Sequence, residues 1–578
     1  MAEPIPVELT KTQDGWQLQR GGEPFFIRGA GGTGSLEALR AAGGNSIRTW
    51  DAEKVRGGDD VGVLLDEAHA LGLTVTVGIW LGHERHGFDY DDPVQVQQQF
   101  DRAKEIVLRY KDHPALLLWG VGNEMEGFDE ADNPKIWEAV NDIGEMIKRI
   151  DPNHPTMTVT AFVHGERIEY IHNRSPGIDI HGVNAYGGAV AVPDFMQRGG
   201  ASKPWVFTEY GPVGPWEMPK TDWGAPIEQT SADKADFYRR AHAEGIEAAP
   251  GQALGAYAFL WGDKMEATET WFGVFLEDGS PTAAYDALTE IWTGALPDNQ
   301  APRVDALSVD GSAELEPGAV LKVNTEMSDP ENDQLTVRWV LRADTGDIFT
   351  GGDYRPPMPD IDDAVIEGTT DGATVRMPDD PGAYRLFAYA YDVQGKAGTA
   401  NVPVRVIGEP KVQFPLPVYG DSFARMPWAP SGWMGNVDKL TVDDAWPENP
   451  HTGDASLRLR YEGVYNWVGV AWQHPANNWG DQAGGINVDG AKELEFWARG
   501  EYGGERISFG VGLLESDKAY PDSSITKVDN IALTPEWTRY TVPLRNKDLS
   551  SLKTGFFIAL TGRQSSVTVY LDDIRFIN

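Results

Sequence analysis

Two glutamates stand where an apolar run gives way to glycine and polar residues. Trp119-Gly120-Val121-Gly122-Asn123-Glu124 closes the fourth such run of the chain, and Phe207-Thr208-Glu209-Tyr210-Gly211 closes the seventh. Either residue alone could be an ordinary surface glutamate at a strand end. Taken together they invite one kind of chemistry. A carboxylate can attack an acetal carbon while a facing carboxylic acid protonates the leaving oxygen and then deprotonates the acceptor. Carboxyls about 5–5.5 Å apart do this by double displacement with retention, whereas a gap of about 6.5–9.5 Å admits a water and inverts the centre.

Residues this far apart in sequence meet only if a regular frame brings them together. From residue 1 to about 295, short apolar runs alternate with helix-period segments, the pattern of βα units around a parallel sheet. Strands are predicted at Phe25–Arg28, Asn45–Trp50, Leu73–Trp80, Ala115–Val121, Thr156–Ala161, Ile178–Val183, Trp205–Glu209 and Ala256–Trp261. Between them Val61, Leu64, Leu65 and Ala68 share a helical face that Gly72 terminates. Val96, Phe100, Ala103, Val107 and Tyr110 share another, and Ile136, Val140, Ile143, Ile147 and Ile150 a third. The sum is a (β/α)8 TIM barrel over residues 1–295, in which functional residues sit at the C-terminal strand ends.

After a Pro/Gly-rich linker the helix period disappears. Residues 303–408 carry short alternating strands separated by turns such as Asp329-Pro330-Glu331-Asn332-Asp333, which reads as an immunoglobulin-like β-sandwich. Residues 411–578 read as a β jelly-roll, with strands near Ser456–Tyr461, Trp467–His474, Glu493–Arg499, Arg506–Leu514, Thr538–Leu544 and Val567–Phe576. The fold class is thus multidomain: a barrel followed by two β modules. The middle module offers no site and is expected to be a spacer.

Composition narrows the partners. With 49 basic against 88 acidic residues the net charge is −39, which repels nucleic acid and anionic membranes and disfavours polyanionic substrates. No run approaches the roughly 18 apolar residues of a membrane span. The absence of cysteine excludes disulfides, thiolate catalysis and Cys-based zinc sites. Met1–Pro6 carries neither a basic start nor an apolar core, as expected of a mature exported protein, secreted or periplasmic, expressed from a new start. There are 20 Trp, 19 Tyr and 21 Phe, enough flat faces to pack sugar rings as well as cores.

The paired motifs resemble those of the clan A retaining glycoside hydrolases. The barrel is similar to that of glycoside hydrolase family 2. It is also similar to the family 72 β-1,3-glucanosyltransferases, through Gly21-Gly22-Glu23-Pro24-Phe25-Phe26-Ile27-Arg28-Gly29 and Asn45-Ser46-Ile47-Arg48-Thr49-Trp50. The likeness spans roughly residues 20–292. It implies Glu124 as acid/base and Glu209 as nucleophile, with no cofactor for catalysis. It further implies that Arg48 and Tyr186, the latter in His181-Gly182-Val183-Asn184-Ala185-Tyr186, touch the nucleophile and that Asn123 meets the sugar 2-hydroxyl. Trp261 would be the aromatic floor, and Trp50, His181 and Asn184 would complete the substrate site. Asp51, Trp80, His83, Glu84, His86 and His164 lie near strand ends as subsite candidates. His83-Glu84-Arg85-His86 lacks the His-Glu-x-x-His spacing of zinc proteases. The first strand near residue 25 leaves no room for the amino-terminal sandwich usual in family 2.

The C-terminal segment has a resemblance of its own. Trp433-Met434-Gly435-Asn436, Glu448-Asn449-Pro450-His451-Thr452-Gly453, the stretch from Trp472 to Asp481 and Tyr570-Leu571-Asp572-Asp573-Ile574 are similar to galactose-binding-type jelly rolls. Such modules, akin to carbohydrate-binding modules, are attached to polysaccharide-degrading enzymes. That likeness makes Asp572 the candidate ligand of a structural Ca²⁺. It also makes Trp467, Trp472 and Trp479 either a sugar platform or core. The resulting expectation is a retaining β-glycosidase for a neutral β-glucan, β-1,3-linked by the family 72 likeness. Transglycosylation on the same site, or a mannan or galactan substrate, remains open, and a non-catalytic binding protein is disfavoured because both glutamates are present.

Overall fold

The computed structural model describes residues 4–53, 55, 59–84, 88–126, 133–163, 166–344, 358–408, 414–423, 426–563 and 565–578. The chain opens with an antiparallel sheet of β1 (Val7–Thr12), β2 (Gly15–Arg20) and β3 (Glu23–Pro24). Eight parallel strands then close a barrel: β4 (Ile27–Gly32), β5 (Ser46–Arg48), β6 (Thr74–Ile79), β7 (Leu116–Val121), β8 (Thr156–Ala161), β9 (Ile180–Asn184), β10 (Trp205–Tyr210) and β11 (Ala253–Trp261). The first barrel strand begins at Ile27 rather than Phe25 because Glu23 and Pro24 pair instead with Arg20 and Gln19. The small sheet covers the bottom of the barrel. Its Val7 and Leu18 pack on Ile27, Leu117, Met157, Ile180, Val206 and Leu254, so the end opposite the glutamates is sealed by apolar contact.

Helices α1 (Leu36–Ala41), α2 (Val61–Ala70), α3 (Pro93–Tyr110), α4 (Pro134–Ile150), α5 (Val192–Arg198), α6 (Ser231–Ala241) and α7 (Ala283–Thr293) surround the strands. Local chemistry sets their ends. Asp60, Asp92 and Asn133 accept a backbone N–H of the first turn, and proline follows the last two caps directly. Thr230 and Asp233 form a capping box on α6, and Gly294 at φ 82° closes α7 in the left-handed conformation. Their apolar faces bury the residues that periodicity assigns, including Val61, Leu64, Leu65 and Ala68 on α2 and Ile136, Val140, Ile143 and Ile147 on α4. Inside the barrel the Tyr257 hydroxyl lies 2.9 Å from Ser46 Oγ and 2.6 Å from Thr76 Oγ1. Residue 29 must be glycine there, because a Cβ would lie 2.4 Å from the Tyr257 ring.

Beyond the barrel lie two β-sandwiches, antiparallel but for the parallel pairing of 314–315 with 397–406 in the first. In the first, strands 308–309, 320–324, 372–376 and 365–369 face strands 314–315, 397–406, 382–391 and 336–343 across a core that includes Leu321, Leu341, Leu386 and Val404. Its second sheet turns Val340, Phe387, Tyr389 and Ala397 outward onto Leu276 of the barrel. The module expected as a spacer is therefore packed against the barrel. The last module pairs the sheet of 440–446, 456–461, 567–577, 493–500 and 538–543 with that of 429–435, 467–473, 554–561, 506–511 and 526–532. Trp428, Trp472, Phe496 and Phe556 fill its core. No helix among the described residues is long and apolar enough to cross a membrane.

Candidate active site

Glu209 is the penultimate residue of β10, where the register against β9 shifts between Phe207 and Glu209. Such an irregularity re-aims a side chain that strict alternation would send the other way. Three donors from two other strand ends converge on its carboxylate. Oε1 accepts from Arg48 Nη1 at 3.1 Å and from Trp50 Nε1 at 2.7 Å, and Oε2 accepts from the Tyr186 hydroxyl at 2.7 Å. Glu209 is 6% exposed, so these bonds act in a dry setting where charge-assisted contacts are strong. Loss of solvent and the charge of Glu209 push the Tyr186 hydroxyl well above its usual range, so it stays protonated and keeps its proton to donate to Glu209.

Glu124 follows β7 at φ 49°, a left-handed conformation that a side chain other than glycine adopts at a cost of about 1–3 kcal/mol, typical of functional turns. Gly122 at φ 73° starts the turn, and Glu124 N–H donates to Val159 O at 3.0 Å. Its Oε1 accepts from Asn184 Nδ2 at 2.7 Å. Asn184 also donates to Asn123 Oδ1 at 3.3 Å and accepts from Thr208 Oγ1 at 2.8 Å. Arg48 Nη2 donates to the same Asn123 Oδ1 at 2.5 Å. The two glutamates are thus joined by the short chain Glu124–Asn184–Asn123–Arg48–Glu209. With Asn123 Oδ1 committed as an acceptor, its Nδ2 is the remaining polar atom of that side chain and can only donate.

Around this pair lies an aromatic wall. Trp50 meets Phe259 edge-on at 5.9 Å, and Tyr186 meets Phe259 at 5.8 Å, Phe272 at 5.0 Å and Trp216 at 5.4 Å. Trp216 belongs to the Trp- and Pro-rich loop after the seventh barrel strand. Its neighbour Glu217 staples that loop to the one after β9, accepting from Gly187 N at 2.8 Å, Gly188 N at 3.0 Å and Gly214 N at 3.0 Å.

Arg48, Trp50, Asn123, Asn184 and Tyr186 therefore gather at the two glutamates. Trp261 does not. It is fully buried on the outside of the barrel, donating to Ser35 O at 2.9 Å and packing on Phe275, Tyr285 and Trp292. His181 is buried behind the site, bonded to Thr160 and His172, and burial drives its pKa well below the ordinary value. His83 supports the backbone through Asn123 O at 2.8 Å and packs on Trp80. Asp51 caps Ala52 N, and Glu84 accepts from Asn133. His86 and His164 lie outside the described residues.

Glu126 was not anticipated. Two residues beyond Glu124, it is buried with Oε1 accepting from Ala161 N and Oε2 without a hydrogen-bond partner among the described residues, and burial raises its pKa to about 8. Only its position beside Asn123-Glu124 could have flagged it. In the last module, Asp572 Oδ2 accepts from His451 N and Thr452 N, and Oδ1 from Asp573 N. Those oxygens are spent on backbone. Among the described residues no group of three or more His, Cys, Asp or Glu is placed to hold a metal ion. Trp472 is core and Trp467 is 47% exposed.

Residues 36–213 match the TIM barrel domain of glycosyl hydrolases family 2. The chain is a glycoside hydrolase. Residues 418–578 of the hydrolase match carbohydrate binding domain 30, so the last module belongs with carbohydrate-binding domains. The hydrolase is also similar to solved structures. One is the endo-β-1,4-mannanase of Thermotoga petrophila, at 13% identity and TM-score 0.35 over 67% of this chain and 98% of that one. A second is the β-D-glucuronidase of Dictyoglomus thermophilum, at 18% identity and TM-score 0.38 over 51% and 54%. A third is β-glucuronidase 2 of Bacteroides uniformis, at 14% identity and TM-score 0.38 over 98% and 67%.

Proposed function

We propose that the hydrolase cleaves a β-glycosidic bond with retention, Glu209 acting as nucleophile and Glu124 as acid/base. The supporting observation is the setting of Glu209, whose carboxylate accepts from a cationic guanidinium as well as an indole and a phenol and is so held ionised for attack, with Asn184 donating to Glu124 across the site. Oε2 of Glu209 has the fewer donors and is the attacking atom. It bonds to the anomeric carbon as the bond to the leaving oxygen breaks, and that oxygen takes the proton of Glu124. Glu124, now a carboxylate, removes a proton from water or a sugar hydroxyl, whose oxygen displaces Glu209. Asn123 donates to the 2-hydroxyl, a bond that strengthens as the ring flattens.

The substrate is a neutral β-glucan, β-1,3-linked by the family 72 likeness, met outside the cell. A net charge of −39 disfavours anionic chains, and the wall of Trp50, Tyr186, Trp216, Phe259 and Phe272 suits apolar sugar faces. The test is a panel of neutral β-glucans, mannans and galactans with product lengths followed over time. Products longer than the starting oligosaccharide identify transfer. Glu209→Gly should lose turnover and accept an α-glycosyl fluoride donor; turnover at the wild-type rate removes Glu209 from the role. Glu124→Ala should recover in part with azide on activated substrates, and failure to do so counts against Glu124.

A further inference from the structure

The aromatic wall hangs on two loops, and both loops are tied to one buried carboxylate at the edge of the first sandwich. Trp216 rides on the loop between β10 and α6, Phe272 on the loop between β11 and α7. Glu228, at the end of the first loop, accepts from Lys234 Nζ, from Thr268 Oγ1 at 2.6 Å, from Thr270 Oγ1 at 2.7 Å and from Asn401 Nδ2 at 2.6 Å. Thr268 and Thr270 precede Phe272 on the second loop, and Trp271 Nε1 donates back to Val213 O at 2.9 Å. Asn401 is different in origin: it lies on strand 397–406 of the sandwich. Its Oδ1 accepts from Arg385 Nη1 at 2.7 Å, and Arg385 Nη2 donates to Pro226 O at 2.9 Å on the first loop. Tyr389, also of the sandwich, bonds through its hydroxyl to Glu269 on the second. The Glu228, Lys234 and Arg385 side chains are 1%, 7% and 2% exposed, so the hub is dry and each lost donor leaves a partner unsatisfied.

We propose that the sandwich module is part of the substrate site, with Asn401, Arg385 and Tyr389 as positioning residues that hold Trp216 and Phe272 against Tyr186. The proposal rests on the glycosidase reading of the Glu124–Glu209 pair. Free loops would let the wall drift from the sugar while the glutamates stay fixed by β5, β7, β9 and β10. Wall contacts serve ground and transition states alike, so their loss raises KM more than it lowers kcat.

The experiment compares full-length wild type, Asn401→Leu and Tyr389→Phe, each well below its melting midpoint. Two readouts are taken: hydrogen exchange of peptides from 211–230 and 262–282, and KM and kcat on the best substrate of the panel. Faster exchange in both segments but not in β5–β8 is expected, with KM up about tenfold and kcat within about threefold. Should Asn401→Leu fail to fold, Tyr389→Phe, which deletes only a hydroxyl, carries the comparison. Lower melting midpoints with loop exchange and KM at wild-type values would reduce the contacts to a structural role and overturn the proposal. If the wild type turns over nothing in the panel, the catalytic reading fails by itself. Loop exchange then decides the brace, faster exchange supporting it and unchanged exchange refuting it.

Discussion

Tyr186→Phe isolates one hydrogen bond at Glu209, the proposed nucleophile. The hydroxyl donates to Glu209 Oε2 at 2.7 Å, while the ring is held independently by Phe259, Phe272 and Trp216 at 5.8, 5.0 and 5.4 Å. Deleting the hydroxyl should leave the pocket in shape. In the glycosyl-enzyme of the proposed mechanism, Oε2 is an ester oxygen with little charge to stabilise; as water or a sugar displaces it, the charge returns and the phenol is its donor. A hydrogen bond to a charged group contributes about 1.5–3 kcal/mol, and about 1.36 kcal/mol is a factor of ten, so breakdown of the intermediate should slow about 10- to 150-fold. The assay is release of a good aryl leaving group, followed through the first turnover and at steady state. The variant should give a clear burst, a kcat lower by that factor and a lower KM, because the intermediate accumulates. A kcat within about twofold of wild type, with no burst, would refute the view that Tyr186 works on Glu209.

Glu126 has a pKa raised from 4.5 to about 8 by burial, so between those values the unfolded chain has released a proton that the folded chain keeps. Wild-type stability should therefore fall across that window, by an amount on the order of a few kcal/mol, and Glu126→Gln should gain on wild type as pH rises through it. Melting midpoints of both proteins against pH check this, and a gap that stays constant contradicts it. Gly29→Ala places a Cβ 2.4 Å from the Tyr257 ring, which Ser46 and Thr76 hold by its hydroxyl. Overpacking of about 1–3 kcal/mol should lower the thermal midpoint by several degrees, and an unchanged midpoint would mean that the barrel interior yields more than its contacts suggest.

The barrel was legible because it is written in two periods. All eight predicted strands fall on observed ones within a few residues, and the apolar faces of α2, α3 and α4 are those the spacing picks out. The covering sheet of β1–β3 was not. Its strands are short and amphipathic, with Val7 and Leu18 as their fully buried contributions, so in sequence they look like a lead-in to the first barrel strand. The brace at Asn401 was likewise invisible, because a single asparagine in an alternating strand carries no mark of a carboxylate from another domain. Five gathered site residues, Arg48, Trp50, Asn123, Asn184 and Tyr186, were named through the family likeness, and each lies at the end of a barrel strand or within two residues of it.

Trp261 and Phe259 illustrate where that reasoning stops. Strict alternation along β11 puts Tyr257, Phe259 and Trp261 on one side, and Tyr257 does point into the barrel. Had the alternation held, Trp261 would face the mouth, as the resemblance implies. The pairing of β11 with β4 slips between Phe259 and Trp261, and its pairing with β10 is irregular as well. One slipped residue reverses every side chain beyond it. Phe259 therefore keeps the place beside Trp50 and Tyr186, and Trp261 turns out to α7 and the Ser35 carbonyl. A comparable slip on β10 brings Glu209 to its three donors. Bulges of this kind leave no local signature in residue type, so a barrel's strands can be counted from sequence while the last residue of each remains to be found in the fold.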